Sequence, residues 1–150
     1  MVTVGEFCNR RVVTIGKTDK VLEAARRMRA HHVGSLVVVD EVDGLKPIGI
    51  VTDRDIVVEV VALASAYLES IQVGDLVTEP LTTARENESL LDTIRRMRHA
   101  GIRRIPVVNE EGAILGIIAF DDLLGFLSDE LSELSALVIR EQNIEAHRRL

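Results

Sequence analysis

The sequence predicts a mixed α/β (α+β) protein: two tandem β-α-β-β-α repeats related by pseudo-twofold symmetry, followed by an amphipathic helical tail. Three observations carry that expectation: an internal repeat, two short apolar runs rich in β-branched residues, and a tail whose leucines recur at spacings of three and four. Residues 26–29 read Arg-Arg-Met-Arg and residues 95–98 read the same, an offset of 69. That offset also aligns Thr14 with Thr83, Leu22 with Leu91, Val38-Val39 with Val107-Val108, and Glu41 with Glu110. The first copy then carries two extra residues between Val42 and Pro47, after which Gly49-Ile50-Val51 matches Gly116-Ile117-Ile118 and Asp55 matches Asp122. Self-similarity at a fixed period marks a repeated supersecondary unit. It divides the chain into a first repeat with its N-terminal segment (1–70), a second repeat (71–127) and a tail (128–150).

Each copy justifies its elements in the same order. A short apolar piece, Val12–Ile15 or Leu81–Ala84, opens it as a strand. A helix follows, with Val21, Leu22, Ala25 and Met28, or Leu90, Leu91, Ile94 and Met97, on one face. Both helices are expected to start on an acid, Asp19 or Glu88, which suits the positive end of the dipole. The runs Leu36–Val39 and Ile105–Val108 read as strands buried on both faces. Turns at Asp43-Gly44 and Glu111-Gly112 lead to Ile48–Thr52 and Ile114–Ala119. Second helices begin near Asp53 and Asp121. One such unit cannot cover both faces of its sheet, so the two copies are expected to dock together. The tail, with Leu124, Leu127, Leu131, Leu134, Leu137 and Val138, reads as an amphipathic helix or helix pair. It serves either to cap its own globule or as a dimer contact, and residues 143–150 are polar enough to fray.

Composition bounds the function. Of 150 residues, 47% are apolar but only 3% aromatic, which disfavours modules that stack bases on aromatic platforms. A net charge of −6 argues against a general grip on phosphate backbones, so the basic Arg-Arg-Met-Arg helices read as solvated faces. One cysteine, Cys8, allows no internal disulfide and no cysteine-rich zinc site. The start, Met1 to Glu6, lacks the features of a signal peptide, and the Val57–Ala66 run is too short to span a bilayer. A cytoplasmic protein is expected. No nucleophile–base constellation or glycine-rich phosphate loop is present, so no enzyme is expected. The adjacent His31 and His32 diverge and read as charge at a helix C-terminus.

The most informative segment is Gly49-Ile-Val-Thr-Asp-Arg-Asp55, where a buried strand turns into a helix. Gly49 permits close approach of backbone or ligand. The helix start offers free N–H groups to a phosphate, Thr52 adds a hydroxyl there, and Asp55 is placed to accept from two vicinal hydroxyls of a ribose. Thr52-x-x-Asp55 equally reads as a capping box. The second copy keeps Gly116 and Asp122 but has Ala119 in place of the threonine. In Gly101-Ile-Arg-Arg-Ile-Pro106, Arg103 and Arg104 abut a buried strand, and pseudo-twofold docking would aim them at the Thr52/Asp55 helix start as phosphate donors.

The tandem repeat, the Gly49-x-x-Thr52-x-x-Asp55 motif, the Leu36-Val-Val-Val-Asp40 strand and the Gly-Ile-Arg-Arg-Ile-Pro-Val-Val segment together resemble a pair of CBS domains, a Bateman module, over residues 2 to about 127. The resemblance implies a non-catalytic regulatory sensor that binds AMP, ADP or ATP between its repeats and acts on an effector protein that the sequence does not identify; a homodimer is expected, and the alternative is a ligand-free homodimeric scaffold. It further implies ribose on Asp55, phosphate near Thr52 and on Arg103 or Arg104, and adenine among Val12, Val13, Thr14 and Val33. A weaker second cleft would hold Thr83, Ile102, Gly116 and Asp122. No metal and no catalytic cofactor are implied.

Overall fold

A computed structural model of the chain describes residues 2–64 and 68–148; the end of the Val57–Ala66 run lies outside the described residues. The chain divides into two compact units, Met1–Ile118 and Ala119–Leu150.

The first repeat contains β1 (Thr14–Gly16), helix α2 (Val21–His31), β2 (Ser35–Asp40) and β3 (Lys46–Thr52), preceded by a single turn, α1 (Val4–Phe7). After β3 a helical run passes through α3 (Asp53–Asp55), a π-helical stretch (Ile56–Val61) and α4 (Ala62–Ala64). The second repeat contains β4 (Ala84–Arg85), α5 (Leu90–Ala100), β5 (Arg104–Val108) and β6 (Ile114–Ala119). Two three-stranded sheets result, ordered β1-β2-β3 and β4-β5-β6. In each, the first two strands are parallel, as a helical crossover requires, and β2–β3 is an antiparallel hairpin. The apolar run on β2 is covered on both faces: Leu36 to Val39 are each at most 1% exposed.

The core of the first repeat gathers Ile15, Val21, Met28, Leu36, Val38, Val51, Ile56 and Val60, and it includes Val73 from the segment between the repeats. That membership reflects a reciprocal exchange. Gly5 N donates to Glu86 O and Gly74 N to Lys17 O, both at 2.8 Å. Val4 N donates to Glu88 O at 2.9 Å, and Val73 N to Asp19 O at 2.8 Å. Isolated bridges join Thr3 to Ser89 and Lys20 to Gln72. Every one of these pairs maps onto its counterpart under the offset of 69. Each repeat's leading segment therefore packs on the other repeat, which gives the pseudo-twofold a physical basis.

Two repeated features have structural roles. Arg27 donates to Thr14 O at 2.9 Å and pairs with Asp19, while Arg96 donates to Thr83 O at 3.0 Å and pairs with Glu88. The second arginine of each Arg-Arg-Met-Arg thus ties its helix to the first strand. Asp19 and Glu88 do not begin the helices, which start at Val21 and Leu90. Their carboxylates accept from Gly16 N and Arg85 N, both at 3.0 Å, and close the turn ahead.

Helix α2 ends on His32 in the left-handed region (φ 54°), where α5 has Gly101 (φ 65°). A side chain in that region costs about 1–2 kcal/mol, partly offset by glycine's greater freedom when unfolded. His32→Gly is therefore expected to stabilise the protein by roughly 0.5–1 kcal/mol, read as a raised urea midpoint at unchanged slope.

The tail is a single helix, α6 (Phe120–Arg148), with no break at residue 128. The helix runs through residue 143 to Arg148, and residues 149–150 lie outside the described residues. Among the described residues no helix is long and apolar enough to cross a membrane.

Candidate functional site

The strand-to-helix turn that carries the motif is built by reciprocal capping. Asp55 N donates to Thr52 Oγ1 at 3.1 Å and Thr52 N donates to Asp55 Oδ2 at 2.8 Å. This is the capping-box alternative in full. It engages one oxygen of Asp55 and leaves Oδ1 and the Thr52 O–H proton available. Gly49, two residues from the end of β3's buried stretch, makes room for protein: a Cβ there would lie 2.6 Å and 2.7 Å from the two methyls of Val77. Gly116 has the equivalent role, its Cβ position lying 2.6 Å from Cys8 Sγ and 3.0 Å from Asn9 O.

A cavity of about 350 Å³ opens beside that turn, lined by Gly49, Asp55, Ile102 and Arg104. Its remaining wall is the segment between the repeats, including Glu79, Pro80, Leu81 and Thr82. The volume falls within the usual range for small-molecule sites. Arg104 is half-buried at the start of β5, and among the described residues no side chain forms an ion pair or hydrogen bond with it. Its guanidinium carries five N–H donors and no acceptor. Asp55 and Glu79 line the same cavity. A cavity that holds one cation, two carboxylates and the apolar Pro80, Leu81 and Ile102 can receive a ligand bearing both an anionic group and hydroxyls.

The structure regroups several residues singled out by sequence. Gly49, Asp55 and Arg104 come together; Thr52 adjoins them through its cap, and Arg103, exposed, does not line the cavity. Val12, Val13 and Thr14 line a separate opening of about 460 Å³ with Arg11, Arg27 and His31. Val33 packs against the core of the first repeat. Ile102, grouped by sequence with the second cleft, lines the Asp55 cavity instead. Thr83 presents its carbonyl to Arg96, Gly116 lies against Cys8 and Asn9, and Asp122 is exposed in the first turn of α6. The physical reason is the exchange of leading segments: it brings the second repeat's Leu81 and Thr82, the counterparts of Val12 and Val13, to the first repeat's aspartate. Sequence reasoning missed Glu79 to Thr82, although the offset of 69, applied to Val12 and Val13, points to them.

Other candidates stay structural. Cys8 is buried and burial pushes its thiol up, the opposite of an activated nucleophile. His31 closes α2 and His32 caps it. Among the described residues no group of three His, Cys, Asp or Glu side chains is placed to hold a metal ion.

The fold is that of two tandem α/β repeats with paired strand-to-helix turns, and the CBS domain family profile matches residues 4–62 and 73–129. The chain belongs to the CBS domain family, as a tandem pair. It is 38% identical over 123 residues to the uncharacterized protein MK0525 of Methanopyrus kandleri, covering 82% of this chain and 61% of that protein. The chain thus spans less than two thirds of that relative's length. A crystal structure of Hypoxic Response Protein I with two coordinated zinc ions is similar at TM-score 0.70 and 28% identity, covering 82% of this chain and 97% of that one. The CBS domain pair of protein MJ0100, in complex with 5′-methylthioadenosine and S-adenosyl-L-methionine, shares the fold at TM-score 0.71 and 22% identity, covering 86% and 98%.

Proposed function

We propose that this chain is a non-catalytic regulatory module that binds an adenine nucleotide, AMP, ADP or ATP, in the Asp55–Arg104 cavity and changes its conformation or partner contacts in response. The observation that carries this reading is the half-buried Arg104, without an acidic side-chain partner among the described residues, in one cavity with Asp55. The phosphate goes to Arg104, the ribose hydroxyls to Asp55 Oδ1, and the base to the apolar wall of Ile102, Pro80 and Leu81. A CBS pair of the same fold holds two adenosyl ligands, which supports the class of ligand. The regulatory effect is limited to the ligand's difference in affinity between two states of the module or of a homodimer.

Calorimetry against AMP, ADP and ATP tests the assignment. Asp55→Asn is the informative variant, because its amide oxygen still accepts from Thr52 N and preserves the turn. It is expected to weaken AMP binding about tenfold, the order of one hydrogen bond to a charged group. Unchanged affinity in Asp55→Asn would remove the ribose assignment.

The capping box supports a second reading, a homodimeric scaffold whose cavity stays empty, since Thr52 and Asp55 already have a structural role. That reading expects no shift in thermal midpoint with millimolar AMP, ADP or ATP, whereas a bound ligand raises the midpoint by mass action.

A further inference from the structure

We propose that the face of α6 carrying Leu124, Leu127, Leu131, Leu134 and Val138 is a seam that pairs with α6 of a second copy of this chain, in antiparallel orientation. The five side chains are between 49% and 64% exposed, whereas Leu123 is the only buried residue described on this helix. Their spacing runs three, four, three, four, the a/d pattern of helices that interlock knobs into holes. A helix of 29 residues is about 43 Å long, so the seam occupies its middle and first half. Leaving such a stripe in water forgoes the burial that stabilises amphipathic helices.

The flanks of the seam fit a close helical neighbour. Between Leu124 and Val138 they are Ser128, Glu130, Ser135 and Leu137, with a single charge among them. The Ser135 hydroxyl already donates to Leu131 O at 3.0 Å, so covering it leaves no unmet donor.

Charge selects the occupant and its direction. From Phe120 to Leu134 the helix has five carboxylates (Asp121, Asp122, Asp129, Glu130, Glu133) and no Lys or Arg. From Ser135 to Arg148 two arginines balance two glutamates. A parallel pair would place ten carboxylates side by side. An antiparallel pair sets each acidic half against a balanced one and opposes the helix dipoles. It is also self-complementary over its centre, as a two-fold contact must be: Leu131 lies opposite Leu134 of the second copy and Leu127 opposite Val138, while Leu124 at the seam's end meets the methylene stem of Glu141. Seven carboxylates against two arginines on the whole helix disfavour an anionic bilayer surface, whose bound helices are rich in Lys and Arg on the polar face.

The proposal stands apart from the nucleotide reading, and its test separates the two. Sedimentation equilibrium of the full chain should show a dimer. Leu131→Glu with Leu134→Glu should raise its dissociation constant at least 100-fold, and Ile139→Glu, off the seam, should leave it within threefold. AMP calorimetry on the same variants should be unchanged. A nitroxide at His147→Cys, with buried Cys8 left unlabelled, should report an intermolecular distance above about 35 Å, from the rise of 1.5 Å per residue. A distance below about 20 Å means parallel helices and overturns the orientation. A wild-type monomer, a dimer indifferent to the double variant, or binding to phosphatidylserine vesicles that only the double variant loses would each overturn the proposal.

Discussion

Gly116→Ala is expected to destabilise the protein by about 2–3 kcal/mol, the upper part of the range for forcing an extra methyl into a packed site. The added Cβ would meet Cys8 Sγ at 2.6 Å, Asn9 O at 3.0 Å and Cys8 Cβ at 3.2 Å. Withdrawal of the leading segment is blocked by its own bonds: Asn9 N donates to Ile117 O at 2.9 Å and Ile117 N to Asn9 O at 3.0 Å. Backbone would have to move, and with it the exchanged segment on which the two-repeat unit depends. Gly49→Ala meets a different obstacle, the methyls of Val77 at 2.6 Å and 2.7 Å, on a β-branched side chain with little rotamer freedom. Urea unfolding at constant slope measures both. A double-mutant cycle separates them: Val77→Ala should recover most of the loss in Gly49→Ala, whereas Cys8→Ala should recover only part of it in Gly116→Ala, because Asn9 O remains. A loss below 0.5 kcal/mol for Gly116→Ala would show that the strand yields freely.

Arg104→Ala is expected to weaken AMP binding by 10- to 100-fold. A hydrogen bond to a charged group contributes about 1.5–3 kcal/mol, and each 1.4 kcal/mol is tenfold. Arg103→Ala, by contrast, should change affinity less than threefold, since Arg103 does not line the cavity. The loss in Arg104→Ala should shrink as salt screens the charges. Glu79, on the same wall, acts in the opposite sense: its carboxylate repels phosphate, and Glu79→Gln should tighten ATP more than AMP. Calorimetry at two ionic strengths reads all three variants. Equal losses for Arg103→Ala and Arg104→Ala would contradict the placement of the phosphate.

Much of this was legible in the chain before any coordinates. The Arg-Arg-Met-Arg repeat located two equivalent units, and the valine run at 36–39 named a strand covered on both faces. Leucines at spacings of three and four after residue 123 named the terminal helix. What the repeat did not reveal was exchange. The offset says that residue 12 equals residue 81, but a symmetry between two copies is silent about which copy's segment lies beside which copy's aspartate. The first strand was therefore assigned to its own repeat's cleft, whereas Leu81 and Thr82 line the cavity of Asp55. The motif glycines were open to the same ambiguity, since close approach by a ligand and by a side chain demand the same absent Cβ.

The sequence by itself determined the architecture, because periodicity and self-similarity are local properties written along one dimension. It also settled where charge is available, since Arg103, Arg104 and Asp55 are fixed by type whatever the fold. Tertiary structure alone decided which of those charges share a cavity. Arg104 and Asp55 meet over a gap of 49 residues because the strand-to-helix turn of one repeat abuts the strand entrance of the other, and Arg103, one residue away, remains outside. Arg103 is a bend residue just ahead of β5, whereas Ile102 and Arg104 on either side of it line the cavity, so a single step along the chain separates a cavity residue from a surface one.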